Sequence, residues 1–174
     1  AAIWGADNKQ LKTICDQDGI VVPANINAPG QVVISGEKES VRNAIIKAKE
    51  IGIRRAIELN VSGAFHSPLM KNARLILSKL INTITFNDAS IPVYQNVCAT
   101  EITNGSEISQ NILSQLEKPV MWSDTILNMK INGIKIFHEI GPGKVLKGLN
   151  KRIYPESSTI NYDKIIDLEN IAVI

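Results

Sequence analysis

The chain has 174 residues, a formal net charge of +2 and 21% charged residues, which is typical of one globular domain or a little more. So small a net charge gives no reason to expect nucleic-acid binding, and no apolar run approaches the ~20 residues of a membrane helix. The two cysteines, Cys15 and Cys98, are far apart and lack metal-ligand spacing. We therefore expect reduced thiols, no bound metal and a cytoplasmic protein.

The first 60 residues predict an alternating series of strands and helices. Ala28-Pro29-Gly30 predicts a turn, since proline pre-sets φ and glycine accepts a positive φ, so the two flanking strands form a hairpin. In chain order we expect strand 1–5, helix 8–17, strand 20–27, strand 31–35, helix 37–51 and strand 53–59. This βαββαβ order is the split pattern of ferredoxin-like domains, so residues 1–60 are predicted to form a ferredoxin-like α+β subdomain.

Residues 61–174 predict a second domain with a different pattern. Ser106 and Ser123 are candidate caps of two helices. Strand–loop–helix repetition of this kind is typical of a parallel α/β layer. The predicted elements are helix 68–82, strand 91–97 buried on both faces, turn 103–105, helices 106–116 and 123–129, strand 134–140, helix 144–153, strand 159–162, and a helix or docking segment at 164–174. On the first of these helices, we expect an inward face made of Leu69, Ala73, Ile76, Leu77 and Leu80.

The stretch VSGAFHSPLM, residues 61–70, contains one of the two histidines. Ser67 suits an N-cap and Pro68 suits the first helical position, so His66 is predicted on a short loop held by rigid elements. General bases are often mounted in this way. From the residues alone, a loop histidine that bonds only to nearby backbone stays an open alternative. The second histidine, His138, lies inside an apolar strand pattern and is interpreted as structural.

This decapeptide resembles the histidine motif of the malonyl-CoA:acyl carrier protein transacylase family. Two further stretches are similar to the same family in the same order, NINAPGQVVISG at 25–36 and EIGPGKVL at 139–146. The pair QL at 115–116 and the run PVMW at 119–122 also fit. The resemblance extends from Ala1 to about Arg152. It implies an α/β fold in which a ferredoxin-like subdomain is inserted into a hydrolase-like acyltransferase core, so that residues 61–174 would be the C-terminal part of that core.

The resemblance also implies a reaction and a set of roles. A malonyl group would pass from malonyl-CoA, through a serine ester, to the phosphopantetheine thiol of acyl carrier protein, in fatty acid biosynthesis and without a cofactor of the enzyme's own. His66 would be the general base, and the backbone carbonyl of Gln115 would orient its other ring nitrogen. The strand that carries Asn25 and Asn27 would border the acyl-CoA cleft. Read without the resemblance, Gln115 is a solvated helix-end residue, and both asparagines are loop-edge residues.

The nucleophile of this family lies in a Gly-His-Ser-x-Gly elbow, and the 174 residues contain no such run. The chain begins with AAIWG and has no initiator methionine. We therefore expect it to be the C-terminal portion of the enzyme, inactive by itself. The N-terminal portion would supply the serine, an arginine for the malonyl carboxylate and part of the oxyanion hole, and without it the larger sheet would lack its first strands.

The loop Gly141-Pro142-Gly143 precedes a predicted helix, but its spacing is not that of a phosphate-binding loop. Basic residues near one side of this helix would steer the acidic acyl carrier protein or the phosphates of CoA, or would form a plain solvated face. They are Lys144, Lys147, Lys151 and Arg152. Two other functions stay open, a non-catalytic ligand-binding or assembly module and a cysteine acyltransferase that pairs Cys98 with His66.

Overall fold

The structure is a computed structural model that describes residues 1–169. The chain divides into two compact units, Ala1–Thr125 and the described residues from Ile126 onward. No helix among residues 1–169 has the length and apolar character needed to cross a bilayer.

The first unit begins with the predicted βαββαβ order. The elements are β1 (Ala2–Trp4), α1 (Asn8–Cys15), β2 (Val21–Ala28), β3 (Gln31–Gly36), α2 (Lys38–Glu50) and β4 (Arg55–Ile57). The four strands form one antiparallel sheet in the order β2-β3-β1-β4, with Ile3 opposite both Val32 and Ala56. The predicted turn between β2 and β3 is present, and Gly30 has the positive φ of 68° that favours glycine.

Both helices pack their apolar faces on one side of this sheet. Ile3 of β1, Ile14 of α1 and Ile34 of β3 are almost fully buried, and the small residues Ala44 and Ala48 of α2 lie one turn apart in the same core. Burial of each isoleucine side chain stabilises the fold by roughly 1.5–3 kcal/mol. The first part of the unit therefore holds a complete core of its own.

Helix α1 begins and ends on well-defined local contacts. Asp7 accepts from the backbone N–H of Gln10, and the Gln10 side chain accepts from the backbone N–H of Asp7, which is a capping box. At the other end, burial raises the pKa of the Cys15 thiol to about 11, against a smaller lowering by the Lys47 ammonium. The Cys15 thiol is therefore protonated at neutral pH.

The first unit continues with shorter elements. A 3-10 turn, Pro68–Met70, leads into α3 (Lys71–Ile81), a two-residue hairpin of β5 (Val93–Tyr94) and β6 (Glu101–Ile102), α4 (Gly105–Ser114) and the start of α5 (Trp122–Ile131). Val120 lies beside the free edge of β2, where its N–H donates to Ala24 O and its carbonyl accepts from Ile26 N, both at 2.8 Å. This bridge ties the end of the unit back to its first sheet.

Helix α3 differs from its prediction in burial. The sequence predicts that Leu69, Ile76 and Leu80 face inward, which is wrong, since their exposed fractions are 42%, 70% and 59%. Ala73 and Leu77 are half-buried. The apolar period is that of a helix, as predicted, but a period shows which face is apolar and not whether residues 1–169 cover it.

The predicted strand 91–97 is wrong in length and in environment. Only Val93 and Tyr94 form a ladder, they pair antiparallel with β6, and Ile91 is 76% exposed. An apolar run bounded by turn residues fits a buried strand equally well, so the pattern could not reveal that its partner is this short.

Two predicted helix caps are also wrong. Helix α4 is capped by the Asn104 side chain, which accepts from Glu107 N at 3.0 Å, so that Ser106 lies inside the first turn. Ser123 lies inside α5, which begins at Trp122. Asn104 is the better cap because it stands three residues before an N–H that has no partner within the helix.

The second unit contains the end of α5, β7 (Ile136–Ile140), α6 (Val145–Ile153), β8 (Ser158–Tyr162) and α7 (Ile165–Glu169). Strands β7 and β8 are parallel with α6 between them, which confirms the predicted parallel pairing in this part of the chain. Leu149, Asn150 and Ile153 of α6 are buried. The predicted segment 164–174 is helical up to Glu169, and its last five positions, 170–174, lie outside the described residues.

Candidate active site

His66 is held in an uncommon backbone conformation by the residue that follows it. Its φ is 58°, a left-handed value that costs a non-glycine residue roughly 1–2 kcal/mol. The side chain of Ser67 is fully buried, and its Oγ donates to Ala64 O at 2.6 Å and accepts from Leu69 N at 3.3 Å. Ser67 is thus the predicted N-cap, and Pro68 begins the turn. Strain held in place by a buried cap is typical of functional loops.

The half-buried imidazole of His66 contacts the end of helix α4. Its Nδ1 lies 2.8 Å from the backbone oxygen of Gln115, the C-cap residue of that helix. A carbonyl oxygen only accepts hydrogen bonds, so Nδ1 is the nitrogen that carries the proton. In the neutral ring, Nε2 then has the free lone pair. This is the arrangement that a general base requires.

A chain of backbone contacts fixes the Gln115 carbonyl in space. Gln115 N donates to Asn111 O at 2.9 Å, which anchors the residue on α4. Five residues later Val120 is bound to the edge of β2, where it forms a parallel bridge with Asn25. Strand β2, which carries Asn25, therefore positions the loop after α4, and with it the Gln115 carbonyl that contacts His66.

A pocket of about 380 Å³ opens beside His66. Apolar and amide side chains share its lining, and the amides are oriented: Asn111 Nδ2 donates to Gln95 Oε1 at 2.9 Å, and Gln95 Nε2 donates to Ile108 O at 3.1 Å. Asn25 and Asn27 are half-buried on β2 and are not among the lining residues. The lining consists of Phe65, His66, Met70, Tyr94, Gln95, Asn96, Asn111, Ile112, Gln115 and Leu116.

The alternative nucleophile Cys98 has other partners. Its thiol donates to Gln95 O at 3.5 Å and lies 3.8 Å from both Thr100 O and the Asn111 amide nitrogen. Two of these partners, Gln95 and Asn111, line the pocket, but His66 is not among the described hydrogen-bond partners of this thiol. The geometry does not support a Cys98–His66 pair.

His138 lies on an exposed strand face and is not among the residues that line the pocket. Its Nδ1 is 2.9 Å from the Tyr162 hydroxyl, and the two rings are stacked with centroids 5.6 Å apart. Both contacts join the neighbouring strands β7 and β8. This agrees with the interpretation of His138 as structural.

The N-terminus of helix α6 is already occupied by a carboxylate. Glu139 accepts from Leu146 N and Lys147 N, both at 2.9 Å, and Asp163 accepts from Gly143 N at 2.7 Å. An anion-binding role for this loop is therefore unsupported. The basic side chains of the helix, Lys144, Lys147, Lys151 and Arg152, are all exposed.

Several contacts of the site could not be found from the sequence. The Gln115 side chain donates to Lys118 O at 2.9 Å and to Pro119 O at 3.2 Å, and Arg74 Nε lies 3.1 Å from a Glu117 carboxylate oxygen. Arg74 and Glu117 are 43 positions apart (117 minus 74). Polar residues at such a separation carry no periodic signal.

Among residues 1–169, no three His, Cys, Asp or Glu side chains are grouped so as to hold a metal ion.

Comparison with known proteins gives consistent matches. The family model described as "Acyl transferase domain" matches residues 1–167. The malonyl CoA-acyl carrier protein transacylase of Bacillus subtilis (strain 168) is 42% identical over 164 residues, covering 92% of this chain and 52% of that protein. A crystal structure of an acyl carrier protein S-malonyltransferase from Vibrio cholerae superposes with a TM-score of 0.92 at 36% identity, covering 98% of this chain and 56% of that one.

A further solved structure includes a carrier protein. It is a type II PKS acyl-carrier protein in complex with its malonyl-transacylase, and it matches with a TM-score of 0.91 at 37% identity, covering 97% of this chain and 56% of that one. The chain spans about half the length of the curated relatives it matches.

Proposed function

Because the chain belongs to the acyl transferase domain family, we propose that it is the C-terminal portion of a malonyl-CoA:acyl carrier protein transacylase. In this proposal residues 1–60 are a ferredoxin-like subdomain and residues 61–174 are the closing part of a hydrolase-like core. The antiparallel order β2-β3-β1-β4 supports the first assignment, and the parallel pair β7–β8 supports the second. The complete protein would consist of this chain preceded by the N-terminal portion that carries the serine elbow. It would work in the cytoplasm, in fatty acid biosynthesis.

One observation carries the proposal, the hydrogen bond from His66 Nδ1 to Gln115 O beside the pocket. It leaves Nε2 as the basic nitrogen and lets the ring gain a proton there without losing its orientation. A serine hydroxyl is a weak nucleophile at neutral pH and needs such a base. His66 of this chain and the serine of the N-terminal portion would together form the catalytic pair.

The proposed cycle has two transfers of the malonyl group. Nε2 of His66 first takes the serine proton while the serine oxygen attacks the thioester carbonyl; the carbon–sulfur bond breaks, and the CoA thiolate leaves with that proton. Nε2 then takes the proton of the phosphopantetheine thiol on acyl carrier protein, the sulfur attacks the serine ester, and the proton returns to the serine oxygen. Atoms and charges balance without a cofactor of the enzyme's own.

The remaining residues are assigned to binding. Asn25 and Asn27 lie on the strand that supports the Gln115 loop, and we assign them to the wall of the acyl-CoA cleft. Lys144, Lys147, Lys151 and Arg152 form an exposed basic group on and before α6, and we assign them to acyl carrier protein docking. The related malonyl-transacylase described above was solved in complex with such a partner.

Intact-mass measurement tests the proposal. The complete protein incubated with malonyl-CoA should gain one malonyl group, and acyl carrier protein should then remove it. The isolated 174-residue chain should gain none, because the serine elbow is absent from its sequence. Replacement of Cys98 by serine should leave the reaction of the complete protein unchanged.

Three results would contradict the proposal. If the isolated chain acquired a malonyl group at Cys98, the cysteine acyltransferase would be correct. If the complete protein acquired none, the chain would be better described as a non-catalytic ligand-binding or assembly module. If the gene encoded only these residues, without an upstream serine elbow, the module would again be favoured.

A further inference from the structure

We propose that the side-chain amide of Gln115 is a positioning group that fixes the tautomer of His66. It does so by tying down the turn from which the Gln115 backbone carbonyl projects. This inference rests on the proposed function for its catalytic meaning, since a fixed tautomer matters to a general base. The tautomer itself is a property of the chain and is measurable without any substrate.

The amide is assigned by its partners. Gln115 Nε2 is 2.9 Å from Lys118 O and 3.2 Å from Pro119 O, and both partners are pure acceptors. An amide nitrogen has two hydrogens, so these two bonds use its whole donor capacity. The NH₂ group must therefore face the 118–119 turn, which settles the orientation of the side chain.

The same nitrogen has a third contact, and this contact shows why both of its hydrogens need to be bound to carbonyls. Gln115 Nε2 also lies 3.5 Å from His66 Nδ1, at the limit of hydrogen-bond range. If Nδ1 carried no proton, a free amide hydrogen at this place would stabilise the wrong tautomer by donating to it. Both amide hydrogens are bound to carbonyls, so they are not available to Nδ1. The shortest contact of Nδ1 is then the backbone oxygen of Gln115 at 2.8 Å, and this contact requires a protonated Nδ1.

The turn needs this internal tie because its ends are held by different elements. At one end Glu117 N and Lys118 N donate to Ser114 O, at 3.1 and 3.0 Å, which continues helix α4. At the other end Val120 is bound to β2. The Gln115 amide joins the two ends across the turn. It thereby holds the carbonyl of the C-cap residue, which has no partner within the helix, toward the imidazole.

The test uses the complete protein labelled with ¹⁵N-histidine and long-range ¹H–¹⁵N correlation, which reports which ring nitrogen carries the proton. His66 in the unaltered chain should be the Nδ1–H tautomer. Gln115→Met keeps the length of the side chain but has no donors, so His66 should shift to a mixture with the Nε2–H form. His138 should be unchanged in both spectra, which makes it an internal reference.

The matched control is Gln110→Met, an exposed glutamine on the same helix. It should leave both histidine tautomers as they are. In the complete protein, Gln115→Met should lower kcat by about 10- to 100-fold, with the KM for malonyl-CoA within about twofold, because misplacement of a base acts on the chemical step.

Two results would overturn the inference: an Nε2–H tautomer at His66 in the unaltered chain, or an unchanged Nδ1–H tautomer in Gln115→Met. If Gln115→Met does not fold, Gln115→Asn decides, since it keeps the amide on an arm one methylene too short for both carbonyls. An unchanged tautomer in Gln115→Asn also overturns the inference. Failure of the proposed function would appear differently, as a fixed tautomer in a complete protein that forms no malonyl-serine ester.

Discussion

The two histidines of this chain lie in two regions that are built in opposite ways. His66 is half-buried on a left-handed loop residue, next to a pocket, and is bonded to a backbone carbonyl. His138 is exposed in the middle of a strand and is bonded and stacked to the side chain of Tyr162. His66 thus lies on a loop that a buried cap holds in place, whereas His138 lies on an exposed strand.

The difference shows what converts a histidine into a candidate base. A backbone carbonyl cannot donate a hydrogen bond, so it fixes the proton on one ring nitrogen and leaves the other available. The Tyr162 hydroxyl both donates and accepts, so it permits either tautomer of His138. The region of His66 is therefore suited to chemistry, and the region of His138 is suited to joining β7 with β8.

The largest expected effect comes from the same substitution at both histidines. His66→Asn in the complete protein should lower kcat by about 10³-fold or more, because the amide cannot take up a proton, whereas the Asn backbone tolerates the positive φ of residue 66. His138→Asn should leave kcat within about twofold. The measurement is steady-state transfer of malonyl to acyl carrier protein. Equal losses at both positions would remove the distinction between the regions.

A smaller effect is expected at the support of His66. Ser67→Ala removes a buried cap and leaves Ala64 O and Leu69 N without their partner, which should lower the free energy of unfolding by about 1–3 kcal/mol. The kcat should fall about tenfold because the imidazole loses its fixed position. Denaturant titration and steady-state rates measure the two quantities. The control is Ser78→Ala on α3, whose hydroxyl donates only to Leu75 O of its own helix; a loss as large in this control would show that the effect of Ser67 is nonspecific.

Charge reversal in the second region should affect partner binding and not chemistry. Lys147→Glu with Lys151→Glu should raise the KM for acyl carrier protein about five- to tenfold, with a weaker effect at high salt. Formation of the malonyl-enzyme from malonyl-CoA should keep its rate. The control pair Lys9→Glu with Lys49→Glu places the same charges on the exposed faces of α1 and α2. An unchanged KM for acyl carrier protein in the Lys147 and Lys151 variant would exclude docking at this helix.

The smallest effect is expected at the partner of His138. Tyr162→Phe removes an exposed hydrogen bond and should lower the free energy of unfolding by less than about 1 kcal/mol. The rate of malonyl transfer should not change. A tenfold loss of rate would mean that this histidine also takes part in the chemistry.

The sequence was sufficient for most local signals, although the caps predicted at Ser106 and Ser123 are wrong. Ser67 and Pro68 predict a helix start after His66, Ala28-Pro29-Gly30 predicts the first hairpin, and the period of residues 1–60 predicts the element order. The structure has Ser67 as the N-cap, the hairpin and the βαββαβ order. Each of these features depends on residues within a few positions of one another, where backbone preferences decide the conformation.

The rest depended on contacts between distant residues. The exposure of Ile76 on α3 and the two-residue ladder of Val93 and Tyr94 depend on which partner covers them, and a hydrophobic period does not identify that partner. The Gln115 carbonyl could be assigned by resemblance, but its distance to a histidine 49 positions away (115 minus 66) is a property of the fold. Geometry of this kind enters only with tertiary structure.

In the proposed reaction the imidazole of residue 66 takes the proton of the attacking group. His66→Gly in the complete protein tests it most directly, because glycine adopts the positive φ without strain and leaves room for a free imidazole molecule. The rate of CoA release from malonyl-CoA should fall by at least about 100-fold, and imidazole added to the solution should restore part of it. A rate near that of the unaltered protein without added imidazole would contradict the account.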